Sequence, residues 1–264
     1  MPRKLRIMTY NIEDGPAERL ELLGHVIGSM RPDIIAVQEI LDLDNGLALA
    51  SALQMAPVLA EPIVERANSD PPFDTLWIGT FSKLPVQSVQ VHRGRPGILH
   101  RPALEVTYEC PDGTAVTVVN VHLISRLVAE EAARKWREAD ELREILRSVR
   151  RRHCVLGDFN AWVPGEGDLS PEWQPEYPQL YRDAVRGGVL GVVLEGGYMD
   201  AFRSVHRGDI ALPQSLRDRA GSRVDHILLD PELAGSLGDC RIMDSGVDVR
   251  AASDHFPVIA DFTL

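Results

Sequence analysis

Apolar residues recur along the chain with two spacings, and each spacing predicts a type of element. Short runs dominated by apolar residues predict buried strands at residues 5–12, 33–37, 77–82, 86–91, 103–108, 116–123, 153–156, 199–202, 224–229 and 258–263. Apolar residues at helical spacing predict helices at residues 17–30, 45–55 and 128–150, with a short one near 180–186. Helices alternate with strands at both ends of the chain and the middle is rich in strands, which predicts an α/β fold of two packed sheets with helices outside.

Residues 161–197 carry the weakest pattern of the chain. Four prolines and several glycines interrupt this stretch, and it lacks an apolar core of its own. A long segment of this kind is typical of a functional loop, so we expect residues 1–264 to form one domain. The length of 264 residues and the hydrophobic content of 44% suit a single domain with a sizeable core.

The charge of the chain limits its partners. Its 28 basic and 39 acidic residues give a formal net charge of -11. Such a charge disfavours tight non-specific binding to long nucleic acids, which lysine and arginine drive by neutralising phosphates. A bound dication and a local group of arginines can still reverse the field inside a cleft, so a phosphate substrate is compatible with this composition.

Cysteine usage and the N-terminal segment bear on location. The three cysteines, Cys110, Cys154 and Cys240, are widely spaced, which is neither a disulfide framework nor a zinc-site pattern. The N-terminus lacks the apolar stretch and cleavage site of a signal peptide, and the weakly polar stretch 187–194 is too short to span a bilayer. We therefore expect a cytoplasmic protein with reduced thiols and no stable membrane association; no protein partner is evident from the sequence.

Five short polar motifs follow apolar runs in a fixed order. They are Thr9-Tyr10-Asn11-Ile12, Val37-Gln38-Glu39, Asn120-Val121-His122-Leu123, Gly157-Asp158-Phe159-Asn160 and Ser253-Asp254-His255-Phe256-Pro257-Val258, with Arg223-Val224-Asp225 between the last two. Together they supply carboxylates, amides and two histidines. This is the set of groups needed to hold a hard cation and to attack a phosphate.

In this order the motifs resemble those of the endonuclease/exonuclease/phosphatase superfamily, the metal-dependent phosphoesterases that include DNase I-like nucleases. The resemblance runs from about Leu5 to about Phe262. It implies a four-layer α/β sandwich, with two packed mixed β-sheets flanked by helices and the site at one end of the sheets. It also implies hydrolysis of a phosphoester by direct water attack, with Mg²⁺ or Mn²⁺ as cofactor.

The resemblance implies three metal-site residues. Glu39 matches the superfamily's principal metal ligand, although a glutamate at a strand end is by itself usually solvated. Asn11 matches an amide on the metal or phosphate side, although such an asparagine often only forms a turn. Asp254 is implied near the metal or the neighbouring histidine. Mg²⁺ takes one or two protein carboxylates plus waters, which this set can provide.

Five residues are candidates for catalysis. Asp158 and Asn160 are two apart, so on extended backbone they point the same way. The resemblance implies that Asp158 orients or deprotonates the water, Asn160 holds a phosphoryl oxygen and His255 lies against the phosphate. We expect Asp225 to pair with a catalytic histidine, fixing its tautomer and raising its pKa, unless it only forms a salt bridge with its neighbour Arg223. His122 matches a phosphate-contacting or acid histidine, where abasic-site endonucleases usually have tyrosine.

The remaining candidates concern the substrate. Asn120 lies two residues before His122 on the same face of the predicted strand. Arg93 and Arg126 are candidate phosphate contacts, with solvated arginines as the alternative, and Arg95 and Arg101 lie in the same loop as Arg93. Trp162 can stack on a base or pack in a loop.

Three functions remain open from the sequence. Nucleic acid is the first candidate substrate because of the family's nucleases. A small phosphoester or lipid headgroup is the second, and the acidic net charge favours it. The third is a catalytically silent binding module on the same fold, which a complete set of site residues disfavours.

Overall fold

Two six-stranded mixed sheets form the centre of the protein in the computed structural model, which describes residues 4–63, 75–124, 129–149, 152–162, 188–207, 215–217 and 223–264. The first sheet contains β1 (Lys4–Gly15), β2 (Ile34–Ile40), β3 (Ala56–Ala60), β4 (Trp77–Ser82), β11 (Leu237–Ile242) and β12 (Val258–Thr263). The second contains β5 (Val86–His92), β6 (Ala103–Glu109), β7 (Ala115–His122), β8 (His153–Asp158), β9 (Met199–Asp200) and β10 (Asp225–Leu229). The strand orders are β11-β12-β1-β2-β4-β3 and β5-β6-β7-β8-β10-β9.

Helices flank the two sheets. They are α1 (Leu20–Met30), α2 (Leu43–Leu53), α3 (Ala129–Ser148), α4 (Val189–Leu194), α5 (Ala201–Val205), α6 (Pro231–Ala234) and α7 (Val247–Ala252). The apolar residues of α1, α2 and α7 pack on the outer face of the first sheet. Those of α3 and α4 pack on the outer face of the second. The order is therefore helix, sheet, sheet, helix, which confirms the predicted four-layer sandwich.

The main core lies between the sheets and follows the period of two along each strand. Ile7 and Ile34 of the first sheet face Val118 and Leu156 of the second in one cluster of buried side chains. Their chain neighbours point outward to the helices. Each such aliphatic side chain contributes about 1.5–3 kcal/mol by its burial. The same alternation decides which face every polar residue at a strand end takes.

Two predicted elements differ from the structure. The strand predicted at 199–202 is only two residues long, because the Asp200 side chain accepts a hydrogen bond from the Arg203 backbone N–H and starts α5. Part of the stretch 161–197 is α4, whose residues pack against α3. The helix predicted near 180–186 lies outside the described residues. The sequence pattern also missed β3 and β11, whose residues are partly exposed and break the apolar run.

The three longer predicted helices are present with shifted ends. The helix predicted at 17–30 begins with a 3-10 turn at Ala17–Arg19 before α1. The second begins at Leu43 because the Asp42 side chain accepts from the Asn45 backbone N–H. No helix within the described parts of the chain is both long and apolar enough to cross a membrane.

Candidate active site

Polar residues replace the apolar core at one end of the space between the sheets. In the second sheet these are His122 at the end of β7, Asp158 at the end of β8 and Asp225 at the start of β10, and all three are buried. Asp158 is opposite both others, since it pairs in register with His122 and with Asp225. Gly157 permits this approach, because a Cβ there would lie 1.9 Å from the carbonyl oxygen of Val121.

Glu39 reaches the same space through a β-bulge. Between Val37 and Ile40, β2 carries one residue more than β4, which runs from Gly79 to Trp77 over the same stretch. Glu39 lies in this bulge with a left-handed φ of 60°. Regular alternation after Val37 and Gln38 would point it at the outer helices, and the bulge turns it inward instead. Its Oε1 accepts a hydrogen bond of 2.9 Å from Asn11 Nδ2.

Asn11 braces the carboxylates of the two sheets. Its Nδ2 donates to Glu39 Oε1 at 2.9 Å and to Asp158 Oδ2 at 3.1 Å, while its Oδ1 accepts from the backbone N–H of Glu13. Burial raises the pKa of Glu39, and burial together with the charge of Asp225 raises that of Asp158. Asn11 is expected as an amide on the metal or phosphate side, and its role as a metal ligand stays a prediction. The amide N–H groups, not the oxygen, face the carboxylates and offset their repulsion.

His255 is held as a cation by the carboxylates around it. Its Nδ1 lies 2.8 Å from Asp225 Oδ2, so the predicted pair of Asp225 with a site histidine is present. Its Nε2 faces Asp158 Oδ2 and Asp254 Oδ1, both at 3.9 Å. Burial lowers the pKa of His255, but Asp225, Asp158 and Asp254 outweigh it and raise the pKa to about 10. The imidazole is therefore protonated at neutral pH.

His122 is the opposite case. Its Nε2 lies 3.5 Å from Asp158 Oδ2 and 3.7 Å from Glu39 Oε1, and its Nδ1 has no hydrogen-bond partner among the described residues. Burial, followed by the positive charges of Arg101 and His255, lowers the pKa of His122 well below its ordinary value. One site thus contains a neutral and a cationic histidine.

Two groups of side chains lie close enough together to hold a metal ion. Glu39, His122 and Asp158 offer ligand atoms within 4.8 Å of one another, and so do Asp158, Asp225 and His255. A protonated His255 has no free lone pair for a metal, so the first group is the better candidate. Buried carboxylates with raised pKa values suit a hard dication, whose charge would favour their ionised forms. Asp254 belongs to neither group, and its side chain is 42% exposed. Of the two places implied for Asp254, the structure contains the one near the histidine, and its place among the metal ligands stays a prediction.

Asn160 does not share the direction of Asp158, contrary to the prediction. The strand ends at Asp158, and Asn160 has a left-handed φ of 48°, so the extended-backbone argument fails there. Its Nδ2 donates to the carbonyl of Leu123 at 3.0 Å, and its backbone N–H donates to Asp158 Oδ1 at 2.8 Å. Asn160 therefore fixes the Asp158 carboxylate from behind.

Asn120 joins the sheets and leaves no donor for a substrate. Its Nδ2 donates to the carbonyls of Val37 and Gly79 at 3.1 and 2.8 Å, and its Oδ1 accepts from Gln38 Nε2 at 2.7 Å. Both amide N–H groups are used, and the side chain is fully buried. The predicted role of Asn120 in substrate binding is replaced by a structural one.

The other predicted substrate residues differ in position. Arg93 is exposed after β5, at the same end of the second sheet as His122 but two strands away. Trp162 is only 6% exposed, so it is packed rather than open for stacking on a base. Arg126 lies outside the described residues. Arg101 is buried at the start of β6, near enough to lower the pKa of His122.

Glu13 and Arg19 support the site without having been predicted. Glu13 Oε2 accepts from the backbone N–H of Asp254 at 3.1 Å. Arg19 lies 3.3 Å from the same carboxylate and donates to the carbonyls of Ile12, Glu13 and Ala252. The pair thus ties the first motif to the last. In the sequence they are marked only as charged residues that follow the Asn11 motif, Glu13 directly and Arg19 within the next turn of chain.

Comparisons with known proteins identify the family and the fold of the chain. The model of the endonuclease/exonuclease/phosphatase family matches residues 8–255. A 3′ phosphatase, NExo, from Neisseria bound to a product DNA hairpin is 21% identical, with a TM-score of 0.73 over 98% of this chain and 100% of that one. An AP endonuclease from Archaeoglobus fulgidus is 18% identical, with a TM-score of 0.75 over 98% and 100% of the two chains.

A more distant likeness extends the set. The human Nocturnin catalytic domain with bound sulfate is 17% identical, with a TM-score of 0.68 over 99% of this chain and 93% of that one. No curated protein matches the sequence. At these identities the solved structures establish a shared fold, while the family match spans nearly the whole chain. The chain belongs to the endonuclease/exonuclease/phosphatase family.

Proposed function

We propose that this protein is a metal-dependent hydrolase that cleaves a phosphoester of nucleic acid by direct attack of water. The observation that carries the proposal is the convergence on Asp158. Its Oδ2 lies 3.1 Å from Asn11 Nδ2, 3.5 Å from His122 Nε2 and 3.9 Å from His255 Nε2. Carboxylates, a neutral histidine and a cationic histidine thus surround one small space between the sheets.

Glu39 is the residue that we propose as the main holder of the cation, with Asp158 and His122 beside it. Mg²⁺ or Mn²⁺ suits the oxygen donors, and Mn²⁺ also accepts imidazole nitrogen. When bound, the cation would neutralise charge on the phosphoryl oxygens and on the leaving oxygen. Asp254 is half-exposed and close to His255, so we propose that it faces the cation only through the solvent of the site.

The protein's own groups would do the rest. His255, held protonated by Asp225, would bind a phosphoryl oxygen by a charge-assisted hydrogen bond. Asp158 would accept a hydrogen bond from the attacking water and aim it in line with the leaving group. His122 is neutral, so its Nε2 would hydrogen-bond a phosphoryl oxygen wherever it does not bind the cation. Asn160 holds Asp158 in place, and Arg93 and Arg126 would contact flanking phosphates.

The substrate class is argued from the family and from charge. One structural neighbour is a 3′ phosphatase with a DNA product and another is an AP endonuclease, which supports nucleic acid. The net charge of -11 favours a small soluble phosphoester as the second candidate. Binding to a polynucleotide falls steeply with salt, by about 0.7–0.9 in log affinity per log salt for each phosphate contacted. A small phosphoester would give a shallow slope.

A substrate panel tests this proposal. Purified protein, with and without Mg²⁺ or Mn²⁺, is incubated with single- and double-stranded DNA, RNA, 3′-phosphorylated oligonucleotides and small phosphoesters. Cation-dependent cleavage of an oligonucleotide that disappears in Glu39→Gln supports the proposal. Faster turnover of a small phosphoester with flat salt dependence favours the second candidate. Cleavage of no substrate at any cation concentration would leave the silent binding module as the better description.

A further inference from the structure

The turn that follows Asp158 is held from two opposite sides. It consists of Phe159, Asn160 and Ala161, and it begins where β8 ends. The left-handed φ of 48° at Asn160 costs free energy for any residue other than glycine, although asparagine tolerates it best. Such a conformation persists only when its surroundings enforce it. The contacts of this turn therefore identify what fixes the carboxylate of Asp158.

Lys135 of α3 holds the turn from the helical side. Its side chain is 2% exposed, and its Nζ donates to the carbonyl of Asn160 at 3.1 Å and to the carbonyl of Ile124. These carbonyls lie two residues after Asp158 and two residues after His122. One buried ammonium group thus spans the exits of the parallel strands β7 and β8.

Glu138 completes this contact one turn along α3. It is 1% exposed, and it accepts from the backbone N–H of Ile124 at 2.9 Å and of His100 at 2.5 Å. A buried ammonium group needs an anion and acceptors nearby. Burial raises the pKa of Glu138, while its hydrogen bonds to the backbone and the charge of Lys135 act in the opposite direction. Glu138 is therefore close enough to Lys135 for the two charges to interact.

His226 of β10 holds the turn from the neighbouring strand. Its ring is fully buried, and its Nε2 lies 2.8 Å from the carbonyl of Ala161. A carbonyl only accepts, so Nε2 must carry the proton. Nδ1 lies 3.0 Å from Arg223 Nη1 and 3.4 Å from Asp200 Oδ2, and Arg223 is paired with the same carboxylate at 2.8 Å. This buried group of side chains fixes the orientation of the His226 ring and the direction of its Nε2 donor.

We propose that Lys135 and His226 are positioning residues that hold the turn Phe159–Ala161, and through it the Asp158 carboxylate, in its working place. Neither side chain needs to touch the substrate. They act on one turn, from α3 and from β10, so the loss of either releases the same element. The link to hydrolysis rests on the function proposed above, whereas the link to the turn rests on the contacts alone.

A double-mutant cycle measured on kcat tests whether Lys135 and His226 act through the same turn. A displacement of about 1 Å in a catalytic group can cost about 10²-fold in rate. We expect Lys135→Met and His226→Leu each to lower kcat at least tenfold with little change in KM. The double variant should lose no more than the worse single variant, because the turn is released only once. Losses that multiply would overturn the proposal.

Matched variants separate the donor from mere packing. His226→Gln can still donate to Ala161, so we expect it to recover most of the kcat that His226→Leu loses. Equal loss in both would refute the role of the donor. His25→Leu and Lys83→Met change the same residue types at exposed positions and should leave kcat unchanged.

Hydrogen exchange gives a readout that needs no activity. The backbone N–H groups of Phe159 and Asn160 donate to Val224 O and Asp158 Oδ1. They should exchange faster in His226→Leu and Lys135→Met, while the middle of β8 keeps its protection. Unchanged exchange in the turn would contradict the proposal even if wild-type hydrolysis fails. If Lys135→Met does not fold, the exchange rates of the Phe159 and Asn160 N–H groups in His226→Leu and His226→Gln test the proposal. We expect faster exchange in His226→Leu than in His226→Gln, and equal rates would contradict it.

Discussion

The two sheets supply the candidate site by different means. In the second sheet His122, Asp158 and Asp225 occupy regular inner positions, in unbroken register across β7, β8 and β10. In the first sheet Glu39 arrives through a bulge in β2 and a left-handed backbone. The first arrangement follows from the period of two, whereas the second departs from it.

The difference shows where the site carries local strain. A left-handed conformation at a residue other than glycine costs about 1–3 kcal/mol and persists where function or packing enforces it. Glu39 carries that cost, and its carboxylate gains contact with Asn11 and closeness to His122. The second sheet therefore supplies its site residues from regular backbone, and the bulge of the first sheet adds the Glu39 carboxylate to them.

The largest expected effect is the loss of activity in Glu39→Gln. We expect hydrolysis to fall by about 10²-fold or more, because the variant removes the carboxylate charge but keeps the side-chain shape. The control Glu109→Gln changes an exposed glutamate at the end of β6 and should have normal kcat. Near wild-type turnover of Glu39→Gln at saturating Mg²⁺ would contradict a role of the Glu39 carboxylate in the reaction.

Asp225→Asn should shift the pH dependence of the reaction. On the proposal that His255 binds the phosphate as a cation, wild-type activity should fall on the alkaline side as pH rises through the His255 pKa of about 10. Removing the Asp225 charge lowers that pKa, so the alkaline limb should move down by about one to three pH units. The profile of kcat from pH 6 to 11 measures this shift.

The control for this prediction is Asp248→Asn. Asp248 lies 3.8 Å from His25 on the surface, so it forms an exposed acid–histidine pair. Its removal should leave the alkaline limb in place. An unmoved limb in Asp225→Asn as well would mean that His255 is not the group that must stay protonated.

Asn120→Leu should weaken the joint between the sheets. The carbonyls of Val37 and Gly79 would lose their donors, which costs about 1–3 kcal/mol of unfolding free energy. For a chain of this size, each kcal/mol lowers the melting temperature by about 2–4 °C. Gln90→Leu, an exposed amide in β5, is the control and should change stability little. A melting temperature of Asn120→Leu equal to that of wild type would show that these hydrogen bonds between the sheets do not stabilise the fold.

A smaller effect sharpens the contrast between the sheets. At Glu39 the left-handed backbone favours glycine, so Glu39→Gly should be more stable than Glu39→Ala by about 1 kcal/mol. At Asp225 the backbone is a regular strand, where glycine is less stable than alanine by about 0.5–1 kcal/mol. The order of the two melting temperatures should therefore reverse between the positions. The same order of the glycine and alanine variants at both positions would contradict the left-handed backbone of Glu39 in the bulge.

Much of the second sheet's contribution could be predicted from the sequence. His122, Asp158 and Asp225 end or begin apolar runs, and alternation within each run gives them the face of the core. The strand bounds there were close to those observed, and the pair of Asp225 with a histidine was predicted. Because these strands pair without a bulge, the face that alternation predicts for each residue is the face that it has in the structure.

Other features depend on contacts that local pattern does not contain. Asn160 was predicted to share the direction of Asp158, but its left-handed backbone depends on Lys135 and His226, which are distant in sequence. The sequence also does not predict that the Asn120 amide donates both of its N–H groups to backbone carbonyls of the other sheet. β3 and β11 were missed because edge strands, with one open side, need fewer apolar residues.

The central claim is that residues from both sheets form one cation site, and the binding of Mn²⁺ to the protein tests it most directly. Electron paramagnetic resonance can titrate free against bound Mn²⁺ in wild type, Glu39→Gln, Asp158→Asn and the control Glu109→Gln. We predict that wild type and the control bind alike, and that each site variant binds at least about tenfold more weakly. Unchanged Mn²⁺ affinity in Glu39→Gln, or a loss in Asp158→Asn alone, would contradict a single site shared by the bulged and the regular strands.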